Sequence, residues 1–253
     1  MHVKKYKTFC WLVFLTGMGV LSFFLHPAYS LADLVLVINT TGQPPLNNPA
    51  KDGFMDSVAR EAVNRIGYRI DIIHQPAERA LRNADNGLID GEMSRIAGIE
   101  SIYSNLIRVP EKIMDWRFCV FSKKPIDLNK GWNSLAGKSV AFITGWKILE
   151  TNVPVSASVT KVKNAEQLFN LLQHDRVDYI IYEYWGGKQI IGEMQLLDVK
   201  LREPVLASRE MFIYLNKKHG EIVPKLSHAL AQMKQDGSYR SMENKLLINL
   251  FRN

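Results

Sequence analysis

Cysteine is scarce in this sequence, with only Cys10 and Cys119 among 253 residues. Cys10 falls in an apolar N-terminal stretch, which leaves one thiol for the rest of the chain, and one thiol makes no internal disulfide. The fold must be held by its core, and the roughly 220 residues past that stretch can build one of sufficient size. Cys119 sits between Phe118 and Val120 in an apolar run, the setting of a buried, inert thiol rather than a nucleophile. Long apolar runs are absent beyond residue 25, so nothing later supplies the roughly 20 apolar residues of a spanning helix. Runs of basic residues are absent too. The 32 Lys+Arg against 25 Asp+Glu are scattered, which argues against a nucleic-acid groove. Motifs of catalysis are missing: there is no Gly-x-Ser-x-Gly elbow, no glycine-rich phosphate loop and no His-Glu-x-x-His helix. His74, His174, His219 and His228 are dispersed without cysteine partners, so neither a metal nor another cofactor is expected.

What is present begins with a leader. Lys4, Lys5 and Lys7 form a basic region, residues 9–25 an apolar one, and Pro27 then stops any helix. Small residues follow in Ala28-Tyr29-Ser30 and Ser30-Leu31-Ala32, both suited to a signal peptidase. The second triplet is preferred, which makes residues 1–32 a signal peptide and Asp33 the first mature residue. An uncleaved anchor is the alternative, disfavoured by Gly17 and Gly19 within a short run. Residues 1–32 carry three lysines and no acid, so the mature chain holds 29 basic against 25 acidic residues. That net +4 is mild and compatible with an anionic ligand.

The periodicity then alternates between strand and helix. Residues 34–38, Leu-Val-Leu-Val-Ile, read as a buried strand, followed by the loop of residues 40–45. Met55, Val58, Ala59, Ala62, Val63 and Ile66 make a helical stripe that Gly67 ends. Residues 68–73 form a second strand, Pro76 opens a short helix, and residues 88–90 read as a further short strand. The pattern restarts at residues 138–144, 158–162 and 177–183, with Asn164 an N-cap and Gln167 three positions later. Strand and helix in alternation imply parallel pairing with helical crossovers. Residues 116–122 and 211–215 are strongly strand-like and flank the second unit, as a pair of hinge crossovers would. Helices with Leu226, Ala229, Leu230 and Met233 on one face close the chain.

Several segments together resemble the bacterial extracellular solute-binding proteins of family 3, the group that includes polar amino-acid receptors. They are VLVINTTGQPPL, PAERALRNADNGLIDGEM, SLAGKSVAFITGW, NAEQLFNLLQHDRVDYIIYE and KLSHALAQMKQDGSYRSM, together with the helix ending at Gly67. The resemblance implies a periplasmic binding protein type II fold, with two doubly wound α/β lobes joined by two hinge strands. Residues 33–119 and 212–253 would form lobe one, and residues 120–211 lobe two. The sequence also departs from the family pattern. Gly91-Glu92-Met93-Ser94-Arg95 stands where a Thr-x-x-Arg element grips the ligand carboxylate, and Leu46 replaces an aromatic residue. Glu183 matches the Asp that binds a ligand ammonium. The pattern is that of a divergent member.

In open α/β sheets ligands sit beyond the carboxyl ends of the strands. That rule, with the resemblance, selects Arg79, Arg95, Thr144, Trp146, Glu183 and Tyr184 as ligand contacts. Arg79 or Arg95 would hold an anionic group, and the turn at Thr144-Gly145-Trp146 would receive a carboxylate or phosphate on helix N–H groups. Against this, Arg79 can belong to a solvated helix face and Arg95 can pair with Glu92 or Asp90. Trp116 and Trp132 read as packing residues. The expected function is capture, in the periplasm and without catalysis, of a small polar, amino-acid-like or anionic ligand by a monomer. Its partner would be an inner-membrane ABC permease or, alternatively, a membrane-bound sensor; an enzyme on the same fold is the third reading.

Overall fold

The computed structural model describes residues 34–249. The leader and both candidate cleavage points lie outside the described residues.

A parallel unit opens the chain. Strand β1 (Val35–Thr40) pairs in parallel with β2 (Arg69–His74) on one side and β3 (Gly91–Arg95) on the other. The crossovers are α1 (Phe54–Arg65) and α2 (Ala77–Asp85). Helix α1 forms because its apolar residues recur every three or four positions, so Phe54, Met55, Val58, Ala59, Ala62 and Val63 are all buried on one side. Each such side chain contributes about 1.5–3 kcal/mol on burial. The helix stops where Gly67 takes a φ of +81°, and the Tyr68 N–H closes the end on the Val63 carbonyl at 3.2 Å.

A second parallel unit repeats the plan. Strand β6 (Ser139–Ile143) lies between β7 (Ser158–Val162) and β8 (Tyr179–Glu183), with both pairings parallel. Between the strands run α3 (Lys147–Asn152) and α4 (Ala165–Gln173), and α5 (Tyr184–Glu193) follows β8 directly. Asn164 caps α4 as expected, accepting from the Gln167 N–H at 2.9 Å, while Gln167 accepts from the Lys163 N–H at 3.1 Å.

Two long antiparallel strands join these units. Strand β5 (Met114–Ser122) pairs with β8 on one side and with β9 (Lys200–Asn216) on the other. Residues 200–211 of β9 face β5, whereas residues 212–216 face β3 and the short β4 (Leu106–Arg108). The strand order is β2-β1-β3-β9-β5-β8-β6-β7, with β4 on β9. Two doubly wound lobes joined by two hinge strands are thus the architecture. Helices α6 (Val223–Gln235) and α7 (Ser238–Glu243) close the chain, and α6 packs on α1 through Leu226, Ala229, Leu230 and Met233.

Two elements differ from the sequence expectation. Residues 88–90 are not a strand, because Leu88 is 73% exposed and β3 starts at Gly91. A β-carbon at Gly91 would stand 2.3 Å from the Tyr214 carbonyl oxygen, so only glycine admits the pairing there. Arg95 is accordingly the last residue of β3 and pairs with Phe212 rather than lying past a strand ending at Asp90. Strand β9 begins eleven residues before Met211, and its register with β5 shifts between Phe118 and Val120, opposite the segment that holds Pro204. Cys119 is fully buried, and burial pushes its thiol up to about 12, which keeps it an inert packing group. Among the described residues no helix is long and apolar enough to cross a membrane.

Candidate functional site

The loop after β1 is fixed by a buried polar network. Thr40 Oγ1 donates to Asn47 Oδ1 at 3.0 Å, and the Gly42 N–H donates to Thr40 Oγ1 at 3.2 Å. Asn47 Nδ2 donates to Asp56 at 2.5 Å, and Asp56 also accepts from the N–H groups of Asn48 and Gly53. Burial raises the Asp56 carboxyl against these hydrogen bonds. The network holds Pro44 and Pro45 in place at the carboxyl end of the sheet.

Across from it stands the β8–α5 junction. Glu183 ends β8 and caps α5, its Oε2 accepting from the Gly186 N–H at 2.8 Å. The side chain is 3% exposed, and Oε1 has no hydrogen-bond partner among the described residues. Burial pushes this carboxyl up to about 7, although the backbone N–H groups and the charge of Arg117 pull the other way. Tyr184 and Trp185 meet edge to face at 4.9 Å. The Arg117 guanidinium, reaching from β5, lies 3.6 Å over the Tyr184 ring and 5.4 Å from that of Trp185. Lys188 Nζ stands 5.5 Å from the Tyr184 ring. A β-carbon at Gly186 would lie 3.6 Å from both the Glu183 carboxylate and the Pro44 carbonyl oxygen. The first turn of α5 therefore sits against the diproline loop of the other lobe, and Glu183 lies at that contact.

Trp146 belongs to an aromatic cluster. Its ring stacks on Tyr182 at 5.1 Å and 16°, and Trp116 and Phe118 approach it at 5.8 and 5.9 Å. One face of Trp146 is thus already covered by the protein. Thr144 is exposed, and its N–H continues the sheet onto the Val162 carbonyl. The turn beside it departs from expectation: α3 has only six residues, and Glu150 Oε1 accepts from the Gly145 N–H at 3.2 Å. Glu150 is also paired with Lys147 and Lys161. The position expected to receive a ligand anion is occupied by the chain's own carboxylate.

In the other lobe Arg95 donates to Glu92 at 2.5 Å, and Asn39 Nδ2 reaches the same oxygen at 3.2 Å. Glu92 is fully buried and pushed up to about 7, because desolvation outweighs Arg95 and Asn39. Arg79 is exposed on α2, while Ala80, Leu81 and Ala84 turn to the core, and among the described residues it makes no hydrogen bond or ion pair. The structure therefore gathers Glu183 and Tyr184 with Arg117, Trp185 and Lys188. It ties Trp146 to them through Tyr182, sets Arg95 against Glu92, and leaves Arg79 and Thr144 on exposed surface. Arg117 is the site residue that sequence reasoning missed. Its signal is a lone cation inside an apolar hinge strand, but its neighbours depend on strand register, which periodicity does not carry.

No protein-family model matches the sequence. An uncharacterized protein of Shewanella oneidensis is 28% identical over 187 residues, 70% of each chain. Among solved structures, the GluR0 ligand-binding core complexed with L-glutamate superposes with a TM-score of 0.76 at 13% identity, over 85% of this chain and 99% of its own. The substrate-binding protein of an amino-acid ABC transporter gives 0.67 at 19% identity, over 84% and 98%. A histidine kinase sensor domain described as similar to periplasmic binding proteins gives 0.69 at 15%, over 85% and 96%. The fold is that of the two-lobed periplasmic binding proteins. Glu183 stands at the junction of β8 with α5, and Arg117 reaches the Tyr184 ring beside it from β5.

Proposed function

We propose that this protein is an exported solute-binding protein that closes its two lobes around a small, polar, amino-acid-like molecule and releases it unchanged. The observation that carries this reading is Glu183: a buried carboxylate at the contact of the lobes, with one oxygen capping α5 and the other unused. A buried acceptor with no partner costs about 1–3 kcal/mol, and a ligand with an N–H or O–H donor removes that cost on closure. The switch of β9 from β5 to β3 between Met211 and Phe212 supports a division into lobe one, residues 33–119 and 212–253, and lobe two, residues 120–211. The leader supports export to the periplasm, with cleavage before Asp33 or Leu31. Intact mass of the periplasmic form reads this directly, and full-length protein in the membrane fraction would refute it.

Delivery to an ABC permease is the favoured role. The similarity to a histidine kinase sensor domain supports a second one, signalling to a membrane-bound receptor. Gene neighbourhood separates the two: permease and ATPase genes in the first case, a sensor kinase or cyclase gene in the second. Native mass spectrometry of protein purified without refolding tests the capture itself. A retained small molecule between the lobes is expected. Protein that carries none, and that shows neither binding nor compaction with any of the common amino acids, would overturn the reading.

A further inference from the structure

The guanidinium of Arg117 has an unusual place in this molecule. It is held flat at 3.6 Å over Tyr184 and 5.4 Å from Trp185, and among the described residues it donates no hydrogen bond and makes no ion pair. Arg202, which also lies along the hinge strands, gives its N–H groups to Ser122 and the Lys123 carbonyl. Arg95 is spent on Glu92, and the Gly145 turn on Glu150. Of the groups proposed from sequence as anion receptors, Arg95 and the Gly145 turn are thus occupied by the protein and Arg79 stands on the exposed face of α2, whereas a planar fork of donors on β5 keeps its N–H groups unused. Beside it, Phe118 pairs with Glu183, whose Oε1 lacks a donor.

We infer that Arg117, on hinge strand β5, is the ligand's anion contact, set beside the Glu183 to which the resemblance assigns the ligand ammonium. This inference rests on the solute-capture reading above and narrows it. A guanidinium stacked on an aromatic face has lost much of its side-chain freedom and still presents two parallel N–H groups, the geometry a carboxylate accepts bidentately. Glu183 Oε1 then takes the ligand's ammonium, one position further along the paired strands. The ligand class that fits is a small molecule with a carboxylate and an amine close together. Because both contacts come from β5 and the β8–α5 junction, the ligand docks there first. The diproline loop, across from Glu183, then covers it, at the approach of Pro44 to Gly186. In this scheme Arg95 positions Glu92 and touches no ligand.

Tryptophan emission titrated with sodium acetate, against sodium chloride at equal ionic strength, tests the carboxylate subsite without the native ligand, since Trp185 lies beside Arg117. The parent and Arg95→Gln should show the same saturable change with acetate but not with chloride. Arg117→Gln should lose roughly 30-fold or more in affinity, the loss expected when one partner of a desolvated charge pair is removed. Should Arg117→Gln fail to fold by circular dichroism, Arg117→Lys keeps the charge without the fork and should weaken acetate about tenfold. An acetate response unchanged in both Arg117 variants, lost in Arg95→Gln instead, or absent from the parent overturns the assignment. These outcomes are independent of native mass spectrometry: acetate binding lost with Arg117, in a protein that retains no solute, upholds the anion site while removing the capture reading.

Discussion

Arg95 Nη2 donates to Glu92 Oε1 at 2.5 Å, and the carboxylate it meets is fully buried between β1 and β9. Removing the arginine leaves a buried acid without its cation, so Arg95→Ala should cost about 3 kcal/mol or more of stability near pH 8. Glu92 can escape that cost by taking up a proton, so the loss should shrink near pH 5. Urea unfolding at the two pH values measures both. A variant as stable as the parent at pH 8 would remove Arg95 from the structural role given to it.

The pH dependence of the empty protein rests chiefly on two acids, with Asp56 raised by burial in the same direction. Glu92 and Glu183 are both pushed from 4.5 to about 7 by burial, so the folded state holds their protons more tightly than the unfolded chain. Their contribution is fully present below about 4.5 and is lost as pH rises to about 7. Asp90, Glu100, Glu150 and Asp236 are lowered instead, so their contribution is lost only on acidification below the usual carboxylate range. Unfolding free energy should therefore be higher at pH 5 than at pH 8, and Glu183→Gln should flatten the difference. A steady rise from pH 5 to pH 8 would contradict the assignment of both acids.

Gly186 stands where α5 approaches the diproline loop. A side chain there would push against the Pro44 carbonyl, so Gly186→Leu should hold the cleft ajar. X-ray scattering should then show no fall in radius of gyration with the solute that compacts the parent. Gly186→Ala controls for crowding of Tyr182, whose ring lies 3.0 Å from the added β-carbon. Normal compaction of the leucine variant would mean that the lobes do not close at this contact.

Gly91→Ala tests the sheet rather than the cleft. The added carbon would meet a backbone oxygen at 2.3 Å, and backbone cannot swing aside as a side chain can. A destabilisation of about 1–3 kcal/mol or more is expected. Gly67→Ala, with nothing within 4 Å of the added carbon, should cost only about 1 kcal/mol for its left-handed backbone. Equal melting temperatures for the two variants would mean that β3 and β9 pair differently.

The elements with local signals were legible in the sequence. Helix α1 announces itself by the spacing from Met55 to Val63 and by Gly67, α4 by Asn164, and β7 by its β-branched run. The first half of β9 was not, because residues 200–210 are largely exposed and polar and Pro204 interrupts them. What makes that segment a strand is β5 beside it, a partner some 85 residues earlier in the chain. The site divides the same way. Glu183 could be found at the end of an apolar run, whereas the meeting of Arg117 with Tyr184 needs the antiparallel register of β5 on β8. The pairing of Arg95 with Glu92 was visible as an alternative, but its full burial was not.

Strand β9 also dictates an order of assembly. Among the described strands it comes last in the sequence, yet it supplies a neighbour to β3, β4 and β5. Until residues 200–216 are available, both halves of the sheet keep an open edge, and neither lobe can complete itself from the residues that precede it. A nascent chain of this kind stays unsettled through most of its synthesis, as the export proposed above would require. Chains stopped before Lys200 should associate through their bare edges rather than persist as half-molecules.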